Sequence, residues 1–112
     1  MAEKLAADGG DSQLRSAISR AYYSAFNTAR QFLQRESISV PKDGQAHDFV
    51  WKQLKQPGRT RLLLGAGNNG ERLKARRTKA DYRDEFTGLE SESKQAIDEA
   101  RQILKALAPV DR

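Results

Sequence analysis

His47 is the only histidine in a 112-residue chain that contains no cysteine. Imidazole titrates nearest neutrality, so proton-transfer chemistry at pH 7 would draw on it first. A His/Cys zinc site needs several such ligands, which this composition cannot supply, and disulfides are excluded. A Ser/His/Asp triad could be drawn from His47 and one of several serines, but no spacing singles out a serine. A second chemical pattern is Gly65-x-Gly67-x-x-Gly70, within "LLLGAGNNGERL" at residues 62–73. In dinucleotide-binding turns, glycines at this spacing join a buried strand to a helix whose N-terminus meets the pyrophosphate. That use requires a βαβ unit of roughly 30 residues or more. Leu62, Leu63 and Leu64 favour helix over strand, and helical spacing continues almost to the C-terminus. The expectation is a flexible interhelical loop with no dinucleotide, metal or other cofactor.

Charge forms a third pattern. The formal net charge is +5, and its distribution is uneven. Residues 1–50 balance six basic against six acidic side chains, whereas residues 51–83 carry ten basic ones against Glu71 and Asp81. The remainder, 84–112, is acidic on balance. A basic middle between neutral and acidic flanks fits a surface for polyanions or for an acidic protein partner; it equally fits a solvated face.

The elements that must position these groups read as helices. Residues 2–7 are expected to form one or two turns, broken by "DGGD". Asp11 or Ser12 can then cap a long helix. On it, Leu14, Ile18, Ala21, Tyr22, Ala25, Phe26, Ala29, Phe32 and Leu33 share one arc, and it should end near Glu36. "AHDFVWKQLK" repeats the pattern through Ala46, Phe49, Val50 and Leu54 until Pro57-Gly58. "ERLKARRTKADYRDE" reads as the next helix. Thr87 with Glu90 has capping-box spacing and opens a last helix through Leu89, Ala96, Ile97, Ala100, Ile103, Leu104 and Leu107, closed by Pro109. No strand pair, internal repeat or low-complexity segment occurs. The fold class is all-α: one domain over 1–112, an antiparallel bundle of four main helices with a short N-terminal segment and a core over about 12–107. No apolar run approaches the ~18 residues of a membrane span, and no signal-peptide core is present, so a cytoplasmic protein is expected.

Two sets of side chains ask for more than core packing. Tyr23 faces away from the apolar arc, near Arg20, Asn27 and Arg30, where an aromatic suits the wet edge of a dimer interface. Arg72, Arg76, Lys79 and Arg83 follow 4-3-4 spacing and are expected to form a solvent-facing basic stripe for RNA or a partner. Arg77 lies off that stripe, on the face of Leu73 and Ala80. A guanidinium there needs either a carboxylate such as Asp81, one turn on, or a cleft that holds a phosphate.

These segments also carry a family resemblance. "RSAISRAYYSAFNTARQFL", Arg15 to Leu33, resembles the Ala-x-x-Arg-Ala-Tyr-Tyr-x-x-Phe signature helix of HEPN domains in small prokaryotic proteins. "RTKADY", Arg77 to Tyr82, resembles their second signature, Arg-x-x-Ala-Asp-Tyr. Both occur in the expected order and at the expected separation, and the resemblance covers roughly residues 12–107. It implies a small helical bundle that usually dimerises. It also implies an association with a minimal nucleotidyltransferase, often as a toxin–antitoxin pair. Several relatives are metal-independent RNases whose Arg-x(4–6)-His motif pairs across the dimer. Arg77 matches the family arginine, and Tyr82 stands where the histidine would be.

Tyrosine, with an ordinary pKa near 10, is a poor general base. His47 could replace the missing histidine only if the fold brings it to Arg77. Two readings follow. The first is a non-catalytic dimeric module that binds RNA or a nucleotidyltransferase partner through the basic stripe. The second is an active, metal-independent endoribonuclease that uses Arg77 with Tyr82 or His47. The tyrosine at position 82 favours the first.

Overall fold

Helix α1 spans Ala2–Arg35 in the computed structural model, which describes residues 2–82 and 88–108, with residues 2–11 and 82 as backbone only. The expected break at "DGGD" does not occur, and no separate short first helix exists: α1 is a single element of 34 residues. Glycine weakens a helix by roughly 1 kcal/mol per residue but keeps its backbone donor, and no proline interrupts the run. Ile18, Tyr22, Ala25, Phe26, Ala29 and Leu33 form the buried stripe of α1, as the periodicity requires.

The exit from α1 is defined by backbone bonds. Ile38 N–H donates to Leu33 O at 3.0 Å and Ser37 N–H to Gln34 O at 2.9 Å, the paired bonds of a Schellman cap. Ser37 occupies the left-handed position, φ 65°, which glycine usually fills. Helix α2, Ala46–Leu54, buries Ala46, Val50, Trp51 and Leu54. Trp51, rather than the expected Phe49, supplies its large core side chain. After α2 the chain turns through Gly58, at φ 92°.

Helix α3 corrects the reading of the glycine-rich stretch, because it runs unbroken over Arg61–Tyr82. Residues 62–73 are therefore helix and not a loop. Thr60 starts it: its Oγ1 accepts the N–H of Leu63 at 3.3 Å, the side-chain bond of an N-cap. Gly67 and Gly70 face α2 where the two helices meet. A Cβ at Gly67 would lie 2.6 Å from Lys55 Cγ and 3.0 Å from the Trp51 carbonyl oxygen. Two of the three glycines thus serve close helix packing. No strand exists among the described residues, so the dinucleotide turn has no sheet to stand on.

Helix α4, Leu89–Leu107, starts from Gly88, at φ 73°, without a side-chain cap bond. The expected capping residue, Thr87, lies outside the described residues, as does Pro109. Cross-helix contacts give the topology. Arg15 and Tyr23 of α1 meet Ala80 and Arg77 of α3, while Asn69 and Arg76 of α3 meet Gln102 and Glu92 of α4. Lys55 and Asp48 of α2 pair with Glu71 and Lys74 of α3 at 2.6 and 2.7 Å. Helix α3 is therefore antiparallel to the other three, and the all-α four-helix expectation holds. No helix among the described residues is long and apolar enough to cross a membrane.

Candidate functional site

Tyr22 is fully buried, so its hydroxyl must find partners inside the protein. Both come from α2, one turn apart: Trp51 Nε1 donates to it at 3.2 Å, and His47 Nδ1 lies 2.7 Å away. An indole N–H can only donate, so the hydroxyl accepts from Trp51; its own buried proton has no other acceptor among the described residues and is therefore assigned to His47 Nδ1. That pattern leaves the neutral imidazole with its proton on Nε2. Burial holds the His47 pKa below its ordinary value, the positive charges of Arg77 and Lys74 add to the effect, and Asp48 opposes it. Burial also pushes the Tyr22 hydroxyl up to about 12, against the Trp51 hydrogen bond and the charge of Arg77. Phe26 completes the setting, its ring stacked on His47 with centroids 4.3 Å apart.

Arg77 reaches the same place from α3. Its Nη2 donates to the Tyr23 hydroxyl at 2.9 Å. Its guanidinium carbon stands 5.1 Å from the Tyr23 ring centroid and 5.8 Å from that of Tyr22, within cation–π range. The Asp81 alternative is also realised. The buried Nε of Arg77 lies 3.0 Å from Asp81 Oδ2, an ion-pair contact without hydrogen-bond alignment. Arg15 fixes the register of the two helices, since its Nη1 donates to the carbonyl of Ala80 beside Asp81.

Arg77, His47 and Tyr23 are thus brought together around Tyr22. Tyr23 is 38% exposed and edge-on to His47, and it belongs to the Arg77 cluster rather than to an isolated polar face. Tyr82 ends α3 a turn beyond Arg77, but its side chain and all of Arg83 lie outside the described residues.

The basic stripe reads differently in three dimensions. Arg76 is not solvent-facing. It donates from Nε to Glu99 Oε1 at 2.9 Å, from Nη1 to Glu92 Oε2 at 2.6 Å and from Nη2 to Gln95 Oε1 at 2.7 Å. Arg72 bonds Asn69 and approaches Glu99 at 3.6 Å. The acids that neutralise this row, Glu92 and Glu99, sit on α4. Lys79 stays exposed and has no ion-pair partner among the described residues.

Tyr22 and Trp51 are the site residues that sequence reasoning missed. A signal was available: a tyrosine in the core arc needs a partner for its hydroxyl, and His47 and Trp51 share one helix face at i, i+4.

Among the described residues, three side chains of the cluster keep hydrogen-bond donors that no acceptor uses: Arg77, His47 at Nε2 and Tyr23 at its O–H. Such a set suits an anionic oxygen. It is less suited to abstracting a proton, because the imidazole lone pair is already engaged by Tyr22. No curated protein and no solved structure matches the chain. The family model of the HEPN domain matches residues 1–109, a span that includes all four helices and every residue of the cluster. With the adjacent tyrosines of α1 and the arginine of α3 held in contact, the chain belongs to the HEPN domain family.

Proposed function

We propose that this HEPN protein is a dimeric binding module that recognises RNA, working beside a minimal nucleotidyltransferase partner in a toxin–antitoxin type of system. The observation that carries this reading is the convergence of unused donors from Arg77, Tyr23 and His47 on one surface. Phosphate oxygens accept from such groups, and contacts of this kind carry charge information with almost no base information. Lys79 extends the basic surface on α3, and Arg72 adds its exposed edge. Arg76 is committed to Glu92 and Glu99 and is left out. The exposed edge of Tyr23 supports placing it near the contact between two copies, where a second Arg77 cluster would face the first.

Binding of a fluorescent single-stranded RNA, followed by anisotropy across a salt series, tests the reading. Each phosphate neutralised should add about −0.7 to the slope of log affinity against log salt. Arg77→Ala should weaken binding and make the slope shallower by roughly that amount. Unchanged affinity and slope would sink the proposal. Light scattering should report a dimer in the wild type that Tyr23→Ala weakens.

One observation favours a second reading, that of a metal-independent endoribonuclease. His47 and Arg77 share Tyr22, so the fold supplies a histidine near the family arginine despite Tyr82. RNA cleavage in the presence of chelator, lost in both Arg77→Ala and His47→Ala, would favour that reading over binding alone.

A further inference from the structure

The apolar arc of α4 is wider than the core uses. Leu89, Ala96, Ala100, Ile103 and Leu107 are buried, whereas Ile97 is 37% exposed and Leu104 only half-buried. Both line a groove of about 340 Å³ between α4 and α1. The α1 side of the groove offers Ala17, Ala21 and Ser24, at the i, i+4, i+7 spacing of one helix face. Those side chains are too short to cover Ile97 and Leu104, which stay open to water. The groove also carries charge of one sign. Arg20 and Arg101 stand in its lining, both exposed, and neither has an ion-pair partner among the described residues. No described carboxylate lines it. Arg59, Arg76 and Arg77, by contrast, are each held by an acid.

An apolar trough with positive edges selects its occupant by chemistry. A second copy placed on it about a two-fold axis would set the same surface against itself. Arg20 and Arg101 would then meet their own counterparts, with no acid in the lining to offset them. A helix from another protein has no such conflict, because a groove between two helices receives the apolar stripe of a third. Acidic side chains beside that stripe would meet the two arginines and set the register. We propose that this groove docks an amphipathic helix of a partner protein. Its aliphatic side chains rest on Ile97 and Leu104, and the acids along its edges pair with Arg20 and Arg101. The lining comes from α1 and α4 alone and shares no residue with the Arg77 cluster, so this docking is independent of the RNA-binding reading.

A set of fluorescent helical peptides, titrated with the full chain and followed by anisotropy, tests the proposal. All but one share a leucine stripe, with Glu, Gln or Lys at the flanking positions; the last is a scrambled Glu peptide without the stripe. The Glu-flanked peptide should bind saturably and more tightly than the others. Ile97→Gln should weaken it by about fivefold or more through lost apolar contact. The melting temperature of that variant should hardly move, because Ile97 is exposed in the free protein. Arg20→Glu combined with Arg101→Glu should weaken the Glu peptide by about tenfold and make the Lys-flanked peptide the tighter binder. Arg61→Glu, a reversal at an exposed position of α3 outside the groove, should change affinity by less than about twofold. No saturable binding of the Glu-flanked peptide, or equal binding of the Glu and Lys peptides to wild type, would overturn the proposal. Binding that survives both the Ile97 and the arginine substitutions would overturn it too. Light scattering and co-sedimentation with anionic phospholipid vesicles address the other occupants. A dimer, or vesicle binding, that is lost in Ile97→Gln would assign the groove to a second copy or to a lipid surface and remove the partner helix.

Discussion

The indole of Trp51 occupies the space in which a side chain at position 70 would begin: a Cβ on Gly70 would stand 2.2 Å from Trp51 Cε3 and 2.3 Å from Cδ2. The buried ring cannot move without shifting the Tyr22 hydroxyl that it bonds. Gly70→Ala is therefore expected to destabilise the protein by about 1–3 kcal/mol through overpacking. That loss should outweigh the gain of up to about 1 kcal/mol that alanine normally brings to a helix interior. Gly65 is the control, since a Cβ there meets nothing within 4 Å. Gly65→Ala should stabilise by about 0.5–1 kcal/mol. Urea unfolding should move the two midpoints in opposite directions, and a rise in both would show that α2 does not pack on α3 in this way.

Arg76 should behave as a structural residue. Its side chain is 16% exposed and that of its main partner, Glu99, is 11% exposed. Arg76→Ala would leave Glu92 without its ion-pair partner at the α3–α4 junction and Glu99 with only the longer contact to Arg72 at 3.6 Å. A loss of about 2–3 kcal/mol is expected, below the figure for a fully buried pair because some exposure remains. At temperatures where the variant stays folded, its RNA affinity should match the wild type apart from a long-range charge effect. Unchanged stability with a large loss of RNA affinity would return Arg76 to the binding surface.

Stability should fall with pH on account of His47. Its folded pKa lies below the ordinary 6.5, so the unfolded chain binds the proton more readily. The contribution is complete above 6.5 and is lost as the pH falls through the folded value. Above about 4.5, where Glu36 would ordinarily titrate, this window is not crowded by the carboxylates that Arg59 and Lys74 hold low. Denaturation midpoints measured between those limits should decline in the wild type and stay flatter in His47→Gln. Imidazole nitrogen NMR gives a second check. The wild type should show the Nε2–H tautomer, and Tyr22→Phe should produce a tautomer mixture. The same substitution orphans the Trp51 N–H, with a stability loss of about 1–3 kcal/mol. A protonated His47 at pH 7 would contradict the assigned hydrogen-bond direction.

Much of this arrangement was legible in the sequence. The apolar arc of α1 and the limits of α2 follow from periodicity and from Pro57-Gly58, and both HEPN signatures fall where α1 and α3 touch. The Asp81 partner of Arg77 follows from i, i+4 spacing. The glycine-rich stretch was not legible, because local propensity argues for a loop there and only the bulk of Trp51, on another helix, explains the glycines. Nor was the fate of Arg76. A helical wheel sees one helix, and the acids that claim Arg76 come from α4. His47 sits at Arg77 through the α2–α3 ion pairs and the Trp51 seat, none of which is a property of neighbouring residues in sequence.

Helix α2 touches α1 and α3 but not α4 among the described residues, and it is only nine residues long. The three long helices therefore make a layer that could persist without it, with α2 attached as a removable plate. So short a helix has little stability of its own and depends on its seat. Its detachment would be a subglobal opening rather than complete unfolding, and amide hydrogens of 46–54 should exchange faster than those in the middle of α4. Equal protection would argue against such a unit. Because that plate carries His47, each opening would withdraw one donor from the Arg77 cluster and unroof Tyr22. The site would then exist in an assembled and a dismantled form, and a ligand that touches both α2 and α3 would act as the clasp between them.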